Sequence, residues 1–204
     1  MTKQGMVRAS FAAAALLALA ACVGKTEASR FYVLSATAPA ADRSPQGLAL
    51  SVGPVALPKY LDRQQIVTRP TANELAVAEF DRWGGRLEDN VTQVIGENLS
   101  RRLHTSRVKL FPTDGADKGD LRVTISISRF ECVGESGDCV LDARWQLASL
   151  PAQGQAAAAP IMGASGLMAR PMGIGYASVA ATMSGLLDDL SREIAASIVD
   201  RNGR

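Results

Sequence analysis

The chain has 204 residues, with 22 Lys and Arg against 20 Asp and Glu, a formal net charge of +2 and a single histidine. That length suffices for one domain with its own core. The near-balanced charge gives no footprint of a nucleic-acid binder, and one histidine excludes a multi-histidine metal centre.

Met1 to Ser10 is polar, carries Lys3 and Arg8, and contains no acidic residue. Phe11 to Ala21 is unbroken apolar sequence of eleven residues, too short for a bilayer span of roughly 20 residues but suited to a secretory signal. It ends in Leu19-Ala20-Ala21-Cys22, the form of a bacterial lipobox. In such a site the thiol accepts diacylglycerol, small residues admit the signal peptidase, and the new amino group is acylated. Two or more acyl chains make anchoring stable, where a single chain is marginal. The rival readings are a buried cysteine ending an N-terminal helix, or an unmodified signal cleaved near Ala21. Val23 stands where an aspartate favours inner-membrane retention, which points toward the outer membrane. The expected organisation is a signal peptide over 1–21, a lipidated cysteine and tether over 22–29, and one domain over 30–204. Lys3 and Arg8 leave with the signal, so the mature chain carries 20 basic and 20 acidic residues.

Arg30 to Leu34 reads as a first strand and Ser35 to Gly47 as a loop. Leu48 to Leu57 is a strand interrupted near Gly53-Pro54, Pro58 to Arg63 a turn, and Gln65 to Arg69 and Glu74 to Phe80 two further strands. Over Gly85 to Leu103, apolar residues Leu87, Val91, Val94, Ile95, Leu99 and Leu103 recur at helical spacing. His104 follows beside Arg101 and Arg102, where a cation complements the helix dipole. Val108 to Phe111 is a short strand, followed by a polar turn through Asp120. Leu121 to Phe130 alternates strictly, with Leu121, Val123, Ile125, Ile127 and Arg129 in phase, and pairs as a hairpin with Cys139 to Leu147. That hairpin brings Cys132 and Cys139 together. A disulfide is favoured in an oxidising compartment, with free thiols next and a metal site last. Ala152 to Pro160 is a connection, Ile161 to Arg170 a further strand, and Tyr176 to Val199 a second helix, with Val179, Met183, Leu186, Leu187, Leu190, Ile194 and Ile198 on its apolar face. These elements predict an α+β, two-layer single domain: two amphipathic helices on one mainly antiparallel or mixed sheet.

Catalytic patterns are scarce. Gly163-Ala-Ser-Gly166 and Gly173-Ile-Gly175 are weak Gly-rich pieces, read as loop flexibility. Asp188 and Asp189 are adjacent on a helix and point about 100° apart, so they read as ordinary solvated residues rather than a carboxylate pair. The chain is expected not to be an enzyme and to need no cofactor beyond covalent lipid on Cys22.

One stretch goes further. Val55-Ala-Leu-Pro58-Lys-Tyr60-Leu61-Asp62-Arg63-Gln-Gln-Ile66-Val67-Thr-Arg69 is followed by Phe80-Asp-Arg82-Trp83-Gly-Gly-Arg-Leu87. Together with Phe31-Tyr32-Val33-Leu34, this order resembles the ABC-type transport auxiliary lipoprotein family, of the PqiC or YmbA type. The resemblance covers roughly Cys22 to Leu147 and weakens after it. Gly84-Gly85 departs from the family's usual Ala-Glu and loosens the helix start. The resemblance implies a non-enzymatic outer-membrane lipoprotein, facing the periplasm, that docks to an MCE-domain protein of an intermembrane lipid transport system. Homo-oligomerisation is left open. Tyr60, Leu61, Asp62, Arg63, Arg82 and Trp83 match the family's motifs and are candidates for partner binding. The alternative is structural: Leu61 and Trp83 as core, with Asp62 paired to Arg82 or Arg63 to fix the turn. An envelope-assembly lipoprotein and a periplasmic lipid-binding carrier are the competing functions.

Overall fold

The computed structural model describes residues 27–39, 47–112, 121–150 and 158–202. The signal peptide and Cys22 lie outside these residues, as does most of the connection expected at 152–160. The chain folds as an α+β domain with the strands β1 (Arg30–Tyr32), β2 (Leu50–Ala56), β3 (Gln65–Thr71), β4 (Glu74–Trp83), β5 (Val108–Leu110), β6 (Leu121–Val133), β7 (Asp138–Ser149) and β8 (Ile161–Pro171). Among the described residues the helices are α1 (Leu87–Arg102) and α2 (Gly175–Asn202), and a 3-10 turn spans Lys59–Leu61.

All eight strands join one mixed sheet organised around β6. On one edge β6 pairs antiparallel with β7 along its whole length, and β7 pairs antiparallel with β8. On the other edge the first half of β6 receives β2 in parallel, with β5 beyond it. The end of β6 receives β3 in parallel at Thr68 and Arg69. β4 and then β1 extend that wing.

Both helices pack on one face of the sheet. Every apolar residue expected on the two helical stripes is buried, as are Leu121, Val123, Ile125 and Ile127 of β6. Arg129 does not continue that row. A register shift between Ile127 and Arg129 inserts an extra residue, and the phase resumes at fully buried Phe130 and at Cys132. β2 is continuous through Gly53-Pro54, where an irregularity in its pairing with β6 absorbs the proline.

α1 begins at Leu87, after the Gly84-Gly85 pair, with Glu88 and Asp89 in its first turn complementing the dipole. It ends through backbone geometry. The Thr105 N–H donates to the Ser100 carbonyl at 3.1 Å and the His104 N–H to that of Arg101 at 3.4 Å. His104 sits at φ 50°, the left-handed position of a Schellman ending that glycine usually fills.

Where the sequence predicts the end of a strand at Leu34 and a loop from Ser35, the structure has a third layer. After β1 the chain runs from Leu34 to Ala38 across both helices. Asn90 of α1 accepts from the Leu34 N–H at 2.7 Å and donates to its carbonyl at 3.2 Å. Ser184 of α2 accepts from Ser35 N–H, and buried Asn98 accepts from Ala38 N–H at 3.0 Å. Arg101 donates to the carbonyls of Ala36 and Ala38. Side chains thus give this segment the pairing that a neighbouring strand would otherwise supply.

Candidate functional site

The motif from Pro58 to Arg69 folds into the 3-10 turn and then β3, and most of its marked side chains turn inward. Leu61 and Trp83 are core residues. Tyr60 is half-buried and donates its hydroxyl to the Glu131 carboxylate at 2.6 Å. Arg69, at the motif's end, donates Nε to the same carboxylate at 2.9 Å and lies over the Tyr60 ring, 5.6 Å from its centroid. Arg129 Nε at 3.1 Å and the Phe130 N–H at 3.1 Å complete the set. Glu131 itself is fully buried.

A buried carboxylate without partners would take up a proton. Burial pushes the Glu131 carboxyl up, but the hydrogen bonds from Tyr60, Arg69, Arg129 and Phe130 outweigh it and hold the group below its ordinary range. Burial and the hydrogen bond to this anion push Tyr60 the other way, up to about 12. Tyr60 therefore stays a donor and Glu131 an acceptor at any physiological pH.

One residue beyond Glu131, Cys132 is disulfide-bonded to Cys139, its direct partner across the β6–β7 ladder. The carboxylate cluster thus sits where β3 meets the cross-linked end of the central hairpin.

Asp62 and Arg63 behave differently from their neighbours. Both are exposed, and no ion pair joins Asp62 to Arg63 or Arg82, contrary to the expected turn-fixing contact. Arg82 is half-buried with its Nε lacking a partner among the described residues. A small depression of about 160 Å³ lies beside the turn, lined by Leu57, Lys59, Leu61, Asp62, Leu87 and Glu88. The exposed side of the motif is therefore a small polar surface bearing Lys59, Asp62 and Arg63.

Three further anions are held by arginines, and of these only Asp81 carries no mark in the sequence. Asp81 is buried and takes the Arg30 guanidinium through Nε and Nη2 at 2.9 and 3.1 Å, and the Tyr32 hydroxyl at 2.7 Å. Asp188 and Asp189 are not solvated. Their divergent directions send Asp188 to a bidentate pair with Arg102 of α1 and Asp189 to Arg170 of β8 and Arg192. The Gly163–Gly166 piece is not a flexible loop either. It lies in β8, where Gly163 packs against the Trp145 ring. Among the described residues no group of His, Cys, Asp and Glu could hold a metal ion, and no helix is long and apolar enough to cross a membrane.

The fold defines an α+β domain whose signature segment is wired into a buried carboxylate at the end of its central hairpin. The chain belongs to the family described as ABC-type transport auxiliary lipoprotein component, which it matches over residues 32–195. The match runs past Leu147 and through β8 into α2, further than the motifs alone reach. No curated protein sequence matches the chain. Among solved structures, one of an uncharacterised protein is 20% identical, with a TM-score of 0.65, covering 84% of this chain and 99% of its own. A DUF330-family protein from Xanthomonas campestris is 19% identical, with a TM-score of 0.61, covering 81% of this chain and 92% of its own. At such identities the likeness is one of fold.

Proposed function

We propose that this lipoprotein-family member is held at the periplasmic face of the outer membrane by lipid on Cys22, and serves an MCE-type intermembrane lipid transport system by docking to its MCE-domain protein. The observation that carries this reading is the family match over 32–195, preceded in the same chain by Leu19-Ala20-Ala21-Cys22. Docking without chemistry accords with a buried Glu131 carboxylate whose acceptor positions are taken up by the fold's own donors. The packed layer between sheet and helices, where Ile95, Leu99, Leu186, Leu187 and Leu190 are fully buried, favours docking over carriage of a lipid inside the domain.

Within the motif, docking falls to the exposed Asp62 and Arg63 rather than to Tyr60, Leu61 or Trp83, which the fold itself uses. Crosslinking in envelope membranes followed by mass spectrometry should recover an MCE-domain protein. The Asp62→Arg and Arg63→Glu variants should lose that crosslink while unfolding at the wild-type denaturant concentration. Recovery of envelope-assembly factors with no MCE protein would replace this reading. In cells, Cys22→Ala should retain the precursor and take up no palmitate label; unchanged labelling would refute the anchor.

A further inference from the structure

We infer that the end of the domain where the chain enters β1 is a membrane-contacting face, with Ile174 entering the interfacial layer of the bilayer that holds the anchor. The inference rests on the proposed lipidation of Cys22 and adds to it a fixed orientation.

Ile174 is a fully exposed aliphatic side chain in the Gly173-Ile174-Gly175 connector between β8 and α2. Its flanking glycines carry no side chains to shield it, and Gly175 takes φ 81° to turn into the helix. Around it, Met172, Tyr176 and Val179 line an apolar depression of about 310 Å³. The Tyr176 ring lies 6.3 Å from that of Tyr32, which places this connector beside β1. Phe31 and Val33, 64% and 61% exposed, alternate with Tyr32 and project from the other side of the same strand. Single exposed apolar residues are ordinary, but a fully exposed isoleucine beside an apolar depression is a grouped feature of the kind that marks a contact surface.

Chain length decides what covers it. Eight residue steps separate Cys22 from Arg30, and a fully extended chain spans at most about 3.6 Å per residue. Acyl chains on Cys22 would therefore keep the first residue of β1 within about 30 Å of the bilayer surface. Met162, nine residues back along β8 from Pro171 and so about 30 Å from the connector, is exposed as well and lies outside that contact. The composition also suits a headgroup layer. Tyrosines at membrane interfaces sit with their rings in the apolar boundary and their hydroxyls in water, and half-buried Tyr176, two residues after the aliphatic tip, is placed for that role. One isoleucine is too little to hold an unanchored protein, but it can orient an anchored one.

The test supplies the anchor chemically, so that it does not depend on lipidation in cells. Cys132 and Cys139 are bonded to each other, which leaves Cys22 of the chain 22–204 as the single thiol for coupling to a maleimide-headgroup phospholipid. The vesicles are phosphatidylethanolamine and phosphatidylglycerol, with or without bromine on the upper acyl chain. Trp83 and Trp145 are buried and give a constant background. The added emission of Ile174→Trp should shift to the blue and be quenched by brominated lipid, whereas that of Met162→Trp should stay unquenched. Equal quenching of the two, or none for Ile174→Trp, would overturn the proposal. So would a blue shift that follows protein density and ignores bromine, which would assign the face to a second copy of the chain. Absence of palmitate on Cys22 in cells would refute the anchor alone and leave this result readable.

Discussion

At the scale of residues, Glu131 is where the family motif and the fold meet. Tyr60 and Arg69 lie nine positions apart in sequence, on a turn and a strand, and both close on one carboxylate that the central hairpin supplies. Removing one partner from such a cluster leaves a buried anion short of a donor, which costs more than the hydrogen bond itself contributes. Tyr60→Phe keeps the ring under Arg69 and removes only the hydroxyl, so it should lower stability by about 1–3 kcal/mol. Glu131→Ala should cost more, about 3–5 kcal/mol, because it leaves Arg69 and Arg129 facing each other without a counter-charge. Urea unfolding of both variants measures the difference; a Tyr60→Phe protein as stable as wild type would mean that the cluster does not hold β3 to β6.

At the scale of elements, the two helices were legible because their apolar residues repeat at 3.6-residue spacing, and tertiary packing used that stripe unchanged. The β6–β7 hairpin was legible from alternation and from the spacing of its two cysteines. What alternation cannot show is a bulge, so strict alternation puts Arg129 in the buried row that Phe130 occupies. Nor can it show contacts made across the fold. Glu131, Asp81 and Asn98 read as ordinary polar residues until distant Tyr60, Arg30 and the Ala38 backbone arrive, and the Leu34–Ala38 layer has no local signature at all. Gly163 reads locally as loop flexibility because its reason, the Trp145 ring on the neighbouring strand, lies eighteen positions away. A methyl group there would clash with Cζ2, Cε2 and Cη2 of the indole. Gly163→Ala should therefore displace the ring and destabilise the protein by about 1–3 kcal/mol, as overpacking does, with a red shift in tryptophan emission. Wild-type emission and stability in that variant would show that β8 can move away from β7 at no cost.

At the scale of the whole molecule, stability depends on anions held between elements. Glu131 joins β3 to β6, Asp188 joins α1 to α2, and Asp189 ties α2 to β8. Both Glu131 and Asp189 are held below their ordinary carboxyl values, the latter chiefly by its hydrogen bond from Arg170. A carboxylate whose folded value is depressed binds fewer protons in the folded chain than in the unfolded one. Its contribution is complete above the unfolded values of 4.5 for Glu and 3.8 for Asp, and it is lost as pH falls through the folded values. Tyr60 works in the opposite sense: raised to about 12, it contributes below the unfolded value of 10 and is lost only as pH rises through the folded one. The urea midpoint should thus be level across neutral pH and fall once the pH drops below the range in which free carboxylates titrate. Glu131→Gln should start from a lower midpoint and decline less steeply on acidification, because its amide has no proton to gain. Parallel acid limbs for the wild type and Glu131→Gln would mean that Glu131 does not contribute to the acid transition, and would leave Asp189 and its arginines to account for it.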